Sequence, residues 1–372
     1  MSIDMEQSFR SIPFFSVIVP TYQRLASLKS CLAALSQLNY PRDRFEVIVV
    51  NDGDRSLPND VIAPYRRSLS IQLLFQENAG PASARNAGAL RAKGQFLAFT
   101  DDDCMVAPDW LSQLAKSWQL LDTELDSKPD NKPDNKLETK SEIRSEIKLQ
   151  TKPQTKTDSY LLGGHIANAL TNNLYATASQ LHNDAVYAYF NQAPCQATFI
   201  ASCNFSVSRI AYQRIGGFDE RFPIAAAEDR EFCDRALRKG YGAIYLPAAK
   251  VYHAHYLTLR SFLKQHFNYG RGAFFFHQSR QKAVEQKAAV PIKTDFKFYW
   301  HLLTYPFQPP LASSKQDRRQ KLRTLHRALL LSVLFIGCNL AKTVGFYWER
   351  LQHLFSPTAF NSSLPPSSSL SR

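Results

Sequence analysis

The first hundred residues alternate between short apolar runs and amphipathic stretches, and few architectures accommodate that rhythm. FSVIVP (Phe15–Pro20) is a β-branched run closed by proline, and RLASLKSCLAALSQL (Arg24–Leu38) then sets Leu25, Leu28, Leu32 and Leu35 at helical spacing. FEVIVVNDG (Phe45–Gly53) and IQLLFQEN (Ile71–Asn78) read as two further strands. An Ala-rich helix, GPASARNAGALRAKG (Gly80–Gly94), precedes a fourth strand, QFLAFTDDD (Gln95–Asp103). Strands with no polar alternation are buried on both faces. The expectation is therefore an α/β fold, Rossmann-like, with a mostly parallel sheet and helices on both sides.

That pattern stops at Asp122. From there to Ser159 the chain repeats KPDN, SEIR/SEIK and TKPQ/TKT with almost no large apolar residue, and its charges nearly cancel. Such a segment cannot bury enough surface to offset its ordering entropy, so residues 122–159 read as a disordered insertion in a surface loop. YLLGGHIAN (Tyr160–Asn168) resumes the strand pattern, and YLPAAKVYHAH (Tyr245–His255) supplies a late one.

Charge is placed unevenly. Arg260–Arg327 holds fourteen Lys/Arg against three Asp/Glu, a local balance of +11 in a chain of net +13. A basic block of this kind suits an anionic lipid surface or a polyanionic substrate, or is simply a solvated face. No RNA-binding aromatic signature or DNA-reading helix accompanies it, so nucleic acid is not expected. Next, RALLLSVLFIGCNLAKTVGFYWER (Arg327–Arg350) is apolar but interrupted by Lys342. It falls short of the roughly 20 apolar residues of a spanning helix unless Lys342 snorkels. Flanking Arg327 and Arg350, with Tyr347 and Trp348, suit a helix lying in a membrane interface; a helix packed on the protein is the alternative. The start of the chain carries Asp4 and Glu6 where a leader would be basic, and no secretory signal is expected. Six scattered cysteines without a C-x-x-C pair read as reduced thiols, and hence as a cytoplasmic protein.

Chemistry concentrates at strand ends, where open α/β sheets bind ligands. PTYQR (Pro20–Arg24), NDGD (Asn51–Asp54) and TDDDC (Thr100–Cys104) all fall there. Each alone suits a helix cap, and a solvated acidic turn with Asp103 capping the helix at APDWLSQLAKSW is the ordinary alternative. Three adjacent aspartates exceed that need. They suit a hard divalent cation, Mg2+ or Mn2+, which completes its shell with substrate phosphates. The chain lacks G-x-G-x-x-G after its first strand and lacks G-x-x-x-x-G-K-[ST], which argues against dinucleotide dehydrogenases and P-loop enzymes. Arg85 is the best-placed fixed cation for phosphate. In AAAEDREFCDRALRKGY (Ala225–Tyr241), Asp229 falls in a first helical turn, where it either caps the helix or takes a proton from an attacking hydroxyl. The turn GGFDERF (Gly216–Phe222) precedes it and would close over a substrate. His253 and His255 alternate on a strand, so one of them is expected to face the site.

FSVIVPTYQR, VIVVNDGD, ENAGPASARNAG, FLAFTDDDCMVAPDWL, LLGGHIA, SCNFSVSRIAYQRIGGFDERF and AEDREFCDRALRKGY stand in an order that resembles the family 2 glycosyltransferases of the GT-A fold, over about Phe15–His255 apart from the insertion. The resemblance implies transfer of a sugar from a nucleotide-diphosphate donor to an acceptor hydroxyl, with inversion and with a divalent metal. Position by position, it implies that Pro20, Thr21 and Tyr22 line the nucleotide pocket, that Asp52 contacts base or ribose, and that Arg85 lies near the donor. The family's D-x-D falls on Asp101 and Asp103 as metal ligands, with His253 assisting and Asp102 turned towards the nucleotide sugar. Asp229 would be the catalytic base, with Glu228 beside it and Gly217 on the acceptor side. Asn51 stands where the family usually shows aspartate. NYGRG (Asn268–Gly272) replaces the Q-x-x-R-W of processive synthases, so single transfers are expected. A sugar-nucleotide binder without transfer, or one with nucleotidyltransferase-like chemistry, is the alternative.

The expected organisation is a tail (1–13), a catalytic domain (14–257), a basic helical region (258–355) with an apolar helix at 328–348, and a disordered Ser/Pro-rich tail (356–372). The chain would sit in the cytoplasm, held peripherally to the membrane face through that helix.

Overall fold

Eight strands form one sheet in the order β3-β2-β1-β4-β7-β6-β8-β5. The strands are β1 (Phe15–Thr21), β2 (Phe45–Asp52), β3 (Ile71–Gln76), β4 (Phe96–Phe99), β5 (Cys104–Val106), β6 (Tyr160–Asn168), β7 (Phe205–Ser208) and β8 (Gly242–His253). The computed structural model describes residues 12–53, 59–123, 157–191, 197–222, 224–286, 289, 296–305 and 318–355. Residues 124–156 of the expected insertion, the tail 356–372, residues 1–11 and Asp54 lie outside the described residues. The insertion's expected edges prove ordered: a helix continues to Thr123, and Thr157–Ser159 forms a 3-10 turn leading into β6.

The first four strands are parallel neighbours, as the apolar runs require. β1 and β2 are buried along their whole length. Successive residues serve opposite faces: Val17 and Val19 join one core, Ile18 the other. The first core packs under α1 (Leu25–Ser36) and the helix Trp110–Thr123, through Leu28, Leu32, Leu35, Trp110 and Trp118. The second packs under α2 (Pro81–Arg91), with Phe99, Phe205, Tyr212 and Phe232 clustered around it. Gly88 lies against Ile18, and a methyl group there would overlap that side chain at 2.6 Å.

Beyond β4 the sheet turns mixed. β7 runs antiparallel to both β4 and β6, and β5 runs antiparallel to β8. β6 and β8 are parallel but slip register between Gly164 and His165. Asn204, fully buried, bridges that slip by donating to the carbonyls of His165 and Ala249 and accepting from the Trp110 indole. The bulge carries the end of β8 across to β5, so that His253 pairs with Cys104. In this way a late strand reaches the acidic turn after β4.

A single helical turn lies at Asn59–Ile62, and after the helix Trp110–Thr123 (α3) the described residues form α4 (Leu174–Phe190), α5 (Arg209–Ile215), α6 (Glu228–Arg238), α7 (Leu259–Glu285), α8 (Phe296–Thr304) and α9 (Arg318–Phe355). α7 opens with a capping box between Thr258 and Ser261. The apolar helix expected at 328–348 is the middle of the longer α9, packed on α7 and α4. Lys342 does not snorkel to water. It is half-buried and meets His182 of α4, and desolvation pulls its ammonium down to about 8. The two long helices approach backbone to backbone: a side chain at Gly270 would overlap the Lys342 carbonyl, and one at Gly345 the Phe267 carbonyl. Gly345→Leu should therefore separate α9 from α7 at a cost of about 1–3 kcal/mol, read as a lower thermal midpoint with the sheet's circular-dichroism signature retained.

Candidate functional site

The site begins where β1, β2 and β4 end side by side, their termini set by the parallel register of Thr21 with Asn51 and of Ile18 with Phe99. The three aspartates follow β4 at once, and each meets a different partner. Asp101 accepts from Arg85 Nη2 at 2.7 Å. Asp102, fully buried, accepts from Thr21 Oγ1 at 2.8 Å, and its other oxygen lies 3.0 Å from Arg24 Nη2, off the hydrogen-bond direction. Asp103 takes Arg24 Nη1 at 2.6 Å on one oxygen and faces His253 Nε2 at 3.3 Å with the other. The solvated turn capping a helix is thus excluded. Asp103 is buried and runs directly into β5, and α3 starts seven residues later.

Electrostatics separates three adjacent, chemically identical groups. Burial raises Asp102 to about 7; Arg24 opposes the shift and the Asp103 charge adds to it. Burial also works to raise Asp103, but the charge and hydrogen bond of His253, with Arg24, outweigh it and hold this carboxyl well below the usual range. Reciprocally, His253 overcomes its own desolvation and rises to about 9 because Asp103 faces it.

Arg85 carries the site across the sheet. It is 3% exposed, and it donates to Asp101 with one amino group and to Glu228 Oε1 with the other, at 2.9 Å. Glu228 and Asp229 open α6, where the dipole favours negative charge. Burial raises both carboxyls, Glu228 to about 7; the Asp229 charge pushes Glu228 further up, and Arg85 pulls both back. Asp229 Oδ1 accepts from the Arg230 amide at 2.7 Å. Among the described residues its Oδ2 is held by the Ser202 amide alone, at 3.3 Å. Residues distant in sequence therefore gather in two clusters that adjoin through the consecutive aspartates: Thr21, Arg24, Asp102, Asp103 and His253 in one, Arg85, Asp101 and Glu228 in the other, with Asp229 next to Glu228.

Other expected site residues take different places. Asp52 spends its carboxylate on Gln76 and on the amides of Ala79 and Gly80, at 2.8–2.9 Å, and so shapes the turn that starts α2. Pro20 is buried within β1, and Tyr22 is exposed just beyond it. Asp102, expected to face the nucleotide sugar, points to Thr21 and Arg24. Gly216 ends α5 with φ +103°, and Gly217 packs on Asn86 while its carbonyl accepts from Arg235, so GGFDERF is a pinned helix-terminating turn. The expectation that only one of His253 and His255 faces the site fails, because β8 ends at His253. The two rings lie 5.5 Å apart, and His255 also feels Asp103.

Sequence reasoning missed Arg24 as the counter-charge of the cluster, although it stands in PTYQR one turn from Thr21. It also missed two left-handed residues that are not glycine, Gln23 (φ +54°) and Ala227 (φ +68°). They immediately precede Arg24 and Glu228, and strain of this kind gathers where a fold over-determines a site.

Asp103, Cys104 and His253 bring an oxygen, a sulfur and a nitrogen within 4.8 Å of one another. A thiol is a soft ligand that hard cations take poorly, whereas the Asp103 carboxylate, with Asp101 nearby, fits Mg2+ or Mn2+. His253, held as the protonated partner of Asp103, would join the set by giving up its proton to a bound metal.

Comparisons with known proteins identify the family and the fold. A model described as glycosyl transferase family 2 matches residues 16–175, and one described as glycosyl transferase family group 2 matches residues 156–360. Glycosyltransferase AglE of Haloferax volcanii is 23% identical over 342 residues, covering 90% of this chain and 95% of that protein. Validoxylamine A glucosyltransferase of Streptomyces hygroscopicus subsp. jinggangensis is 37% identical over 105 residues, 28% of this chain, and the chain spans only 25% of its length. A mannosyltransferase from Pyrobaculum calidifontis, solved with GDP-Man and Mn2+, shares the fold with a TM-score of 0.55 at 18% identity, over 92% of this chain and 89% of that one.

The shifts give a signed pH dependence for the metal-free protein. Asp102 and Glu228 have raised pKa values, so their contribution to stability is full below about pH 4, their unfolded value, and is lost as pH rises to about 7. His253, raised to about 9, loses its contribution between about pH 6.5, its unfolded value, and about 9. Buried His182 and His266 have lowered pKa values and act in the opposite sense, so the test is a difference from wild type. In chelator, the midpoint of Asp102→Asn should rise relative to wild type from about pH 4 to about 7, and that of His253→Gln from about pH 6.5 to about 9. Differences that stay constant with pH would contradict the assignments.

Proposed function

This chain is a family 2 glycosyltransferase, and from that premise we propose that it transfers a sugar from a nucleotide-diphosphate donor to an acceptor hydroxyl, with inversion, one residue at a time. The observation that supports the proposal is the Arg85 bridge, which joins Asp101 after β4 to Glu228, the neighbour of Asp229.

Asp229 is the general base. Its raised pKa brings a carboxylate towards working pH, and the weakly held Oδ2 is the oxygen left to accept a proton. As the acceptor hydroxyl gives its proton to Asp229, its oxygen bonds the anomeric carbon from the face opposite the leaving group. The bond from that carbon to the diphosphate oxygen breaks with its electron pair. Arg85, fixed at both amino groups, presents permanent positive charge beside the departing phosphates. Asp101, Asp103 and His253 would hold a divalent cation, Mg2+ or Mn2+. When bound it supplies charge that offsets the developing diphosphate anion. Thr21 and Arg24 keep Asp102 and Asp103 aimed, and Asp52 holds the turn at the start of α2 against the nucleotide end of the mouth. Tyr22, exposed at the end of β1, supplies an aromatic face for the base.

The absence of Q-x-x-R-W, with Asn268–Gly272 lying inside α7, supports single transfers over polymer synthesis. Cytoplasmic residence with peripheral attachment to the membrane face through α9 belongs to the same reading.

A panel of nucleotide sugars, screened by thermal shift with and without Mn2+, should return one donor whose stabilisation requires the metal. With that donor, Asp229→Asn should bind with unchanged affinity by calorimetry while turnover falls about 10²–10⁴-fold. Persistent turnover would assign the base elsewhere. Asp103→Ala should abolish the Mn2+ dependence of donor binding, and intact metal-dependent transfer in that variant would remove Asp103 from the metal site.

A further inference from the structure

α9 resolves an ambiguity that its composition leaves open. Its segment Leu329–Phe355 is long and apolar enough to cross a membrane, yet two of its three charged residues face the protein. Lys342 meets His182, and Glu349 accepts from Arg271 of α7 at 2.5 Å, so both turn inward. The opposite face is a continuous apolar stripe. Leu329, Val333, Ile336, Leu340, Val344 and Tyr347 recur every three or four residues, each more than half exposed, and Trp348, Leu351, Leu354 and Phe355 extend the stripe to the helix end. At about 1.5 Å per residue the stripe is about 40 Å long.

A cleft of about 440 Å3 opens at its C-terminal end, between α7 and α9. Phe274, Phe346 and Leu354 form its apolar walls, and Leu354 also belongs to the stripe. Arg350, His277 and His353 supply its polar rim. Arg350 is exposed and makes no ion pair among the described residues.

From the two features together, the geometry points to a lipid site: the outward face of α9 lies in a bilayer interface, and the α7–α9 cleft seats the phosphate head of an anionic lipid against Arg350. Spanning is disfavoured because α9 is held closely against α7 at Lys342 and Gly345, and α7 carries exposed Arg260 and Lys264. Charge complementarity favours the anionic surface, since Arg260–Arg327 carries a balance of +11. Exposed Tyr347 and Trp348 fall where an interfacial aromatic belt would place them. The tail 356–372 offers only Phe360, Leu364 and Leu370 as large apolar residues, too few to cover such a face. This inference names the lipid contact of the attachment proposed above, but flotation needs no turnover, so its failure would leave the transfer chemistry untouched.

The test is flotation of the full chain with phosphatidylcholine vesicles, with and without phosphatidylglycerol. The protein should float with the anionic vesicles, and brominated lipid should quench Trp348 in a Trp300→Phe background. Val333→Glu/Val344→Glu should sink while retaining wild-type helicity and thermal midpoint, since both side chains are exposed. Arg350→Ala should weaken anionic binding roughly fivefold, as for one cation at a charged surface, and leave binding to neutral vesicles unchanged. No flotation at low salt would overturn the proposal. So would a dimer in light scattering that Val344→Glu splits, since a second copy would then cover the stripe. Release from vesicles by inorganic phosphate, at matched ionic strength, would reassign the cleft to free phosphate.

Discussion

Five carboxylates crowd into a space from which water is largely excluded, and two arginines make that arrangement tolerable. Arg24 neutralises Asp102 and Asp103, and Arg85 joins Asp101 to Glu228. An uncompensated buried charge costs several kcal/mol, so the strands and helices bearing these groups are bound to one another electrostatically as well as by packing. Arg85 matters most. It is almost fully buried, rises from α2, and ties the parallel half of the sheet to the helix that carries Glu228 and Asp229.

Everything around that bridge acts to hold it. Asp52 fixes the turn that aims α2. Phe218 lies against the Arg85 guanidinium, 5.6 Å from ring centre to Cζ, and stacks among the aromatic side chains beneath α6. The Asn204 bridge at the β6–β8 slip brings His253 opposite Asp103. The two left-handed residues, Gln23 and Ala227, each cost of order 1–2 kcal/mol and stand immediately before Arg24 and Glu228. Packing energy from the two apolar cores is spent in keeping charged groups at defined positions.

The C-terminal helices obey a different constraint. α9 must satisfy two surfaces: it turns Lys342 and Glu349 towards α4 and α7, and it leaves its long apolar stripe outward. Close backbone contact at Lys342 and Gly345 holds that division in place against α7. Hydropathy averages over the circumference of a helix, which is why Lys342 reads from sequence as an interruption although it sits on the inner side.

Local patterns in the chain were enough to establish the parallel strands, the ends at which chemistry gathers, and the residue types assembled there. Period-two and period-3.6 burial, and the motifs at strand ends, are properties of neighbours in sequence. TDDDC and AEDRE were legible for that reason, and so was the likeness to a family of sugar transferases. Partner choice between residues a hundred or more apart was not legible. Nothing local in ENAGPASARNAG says that Arg85 will meet Glu228, or that three successive aspartates will differ in protonation. That was decided by the antiparallel β7, the β6–β8 slip and the burial that follows from them, because the field at a carboxylate depends on which charges the fold sets beside it and how much water it removes.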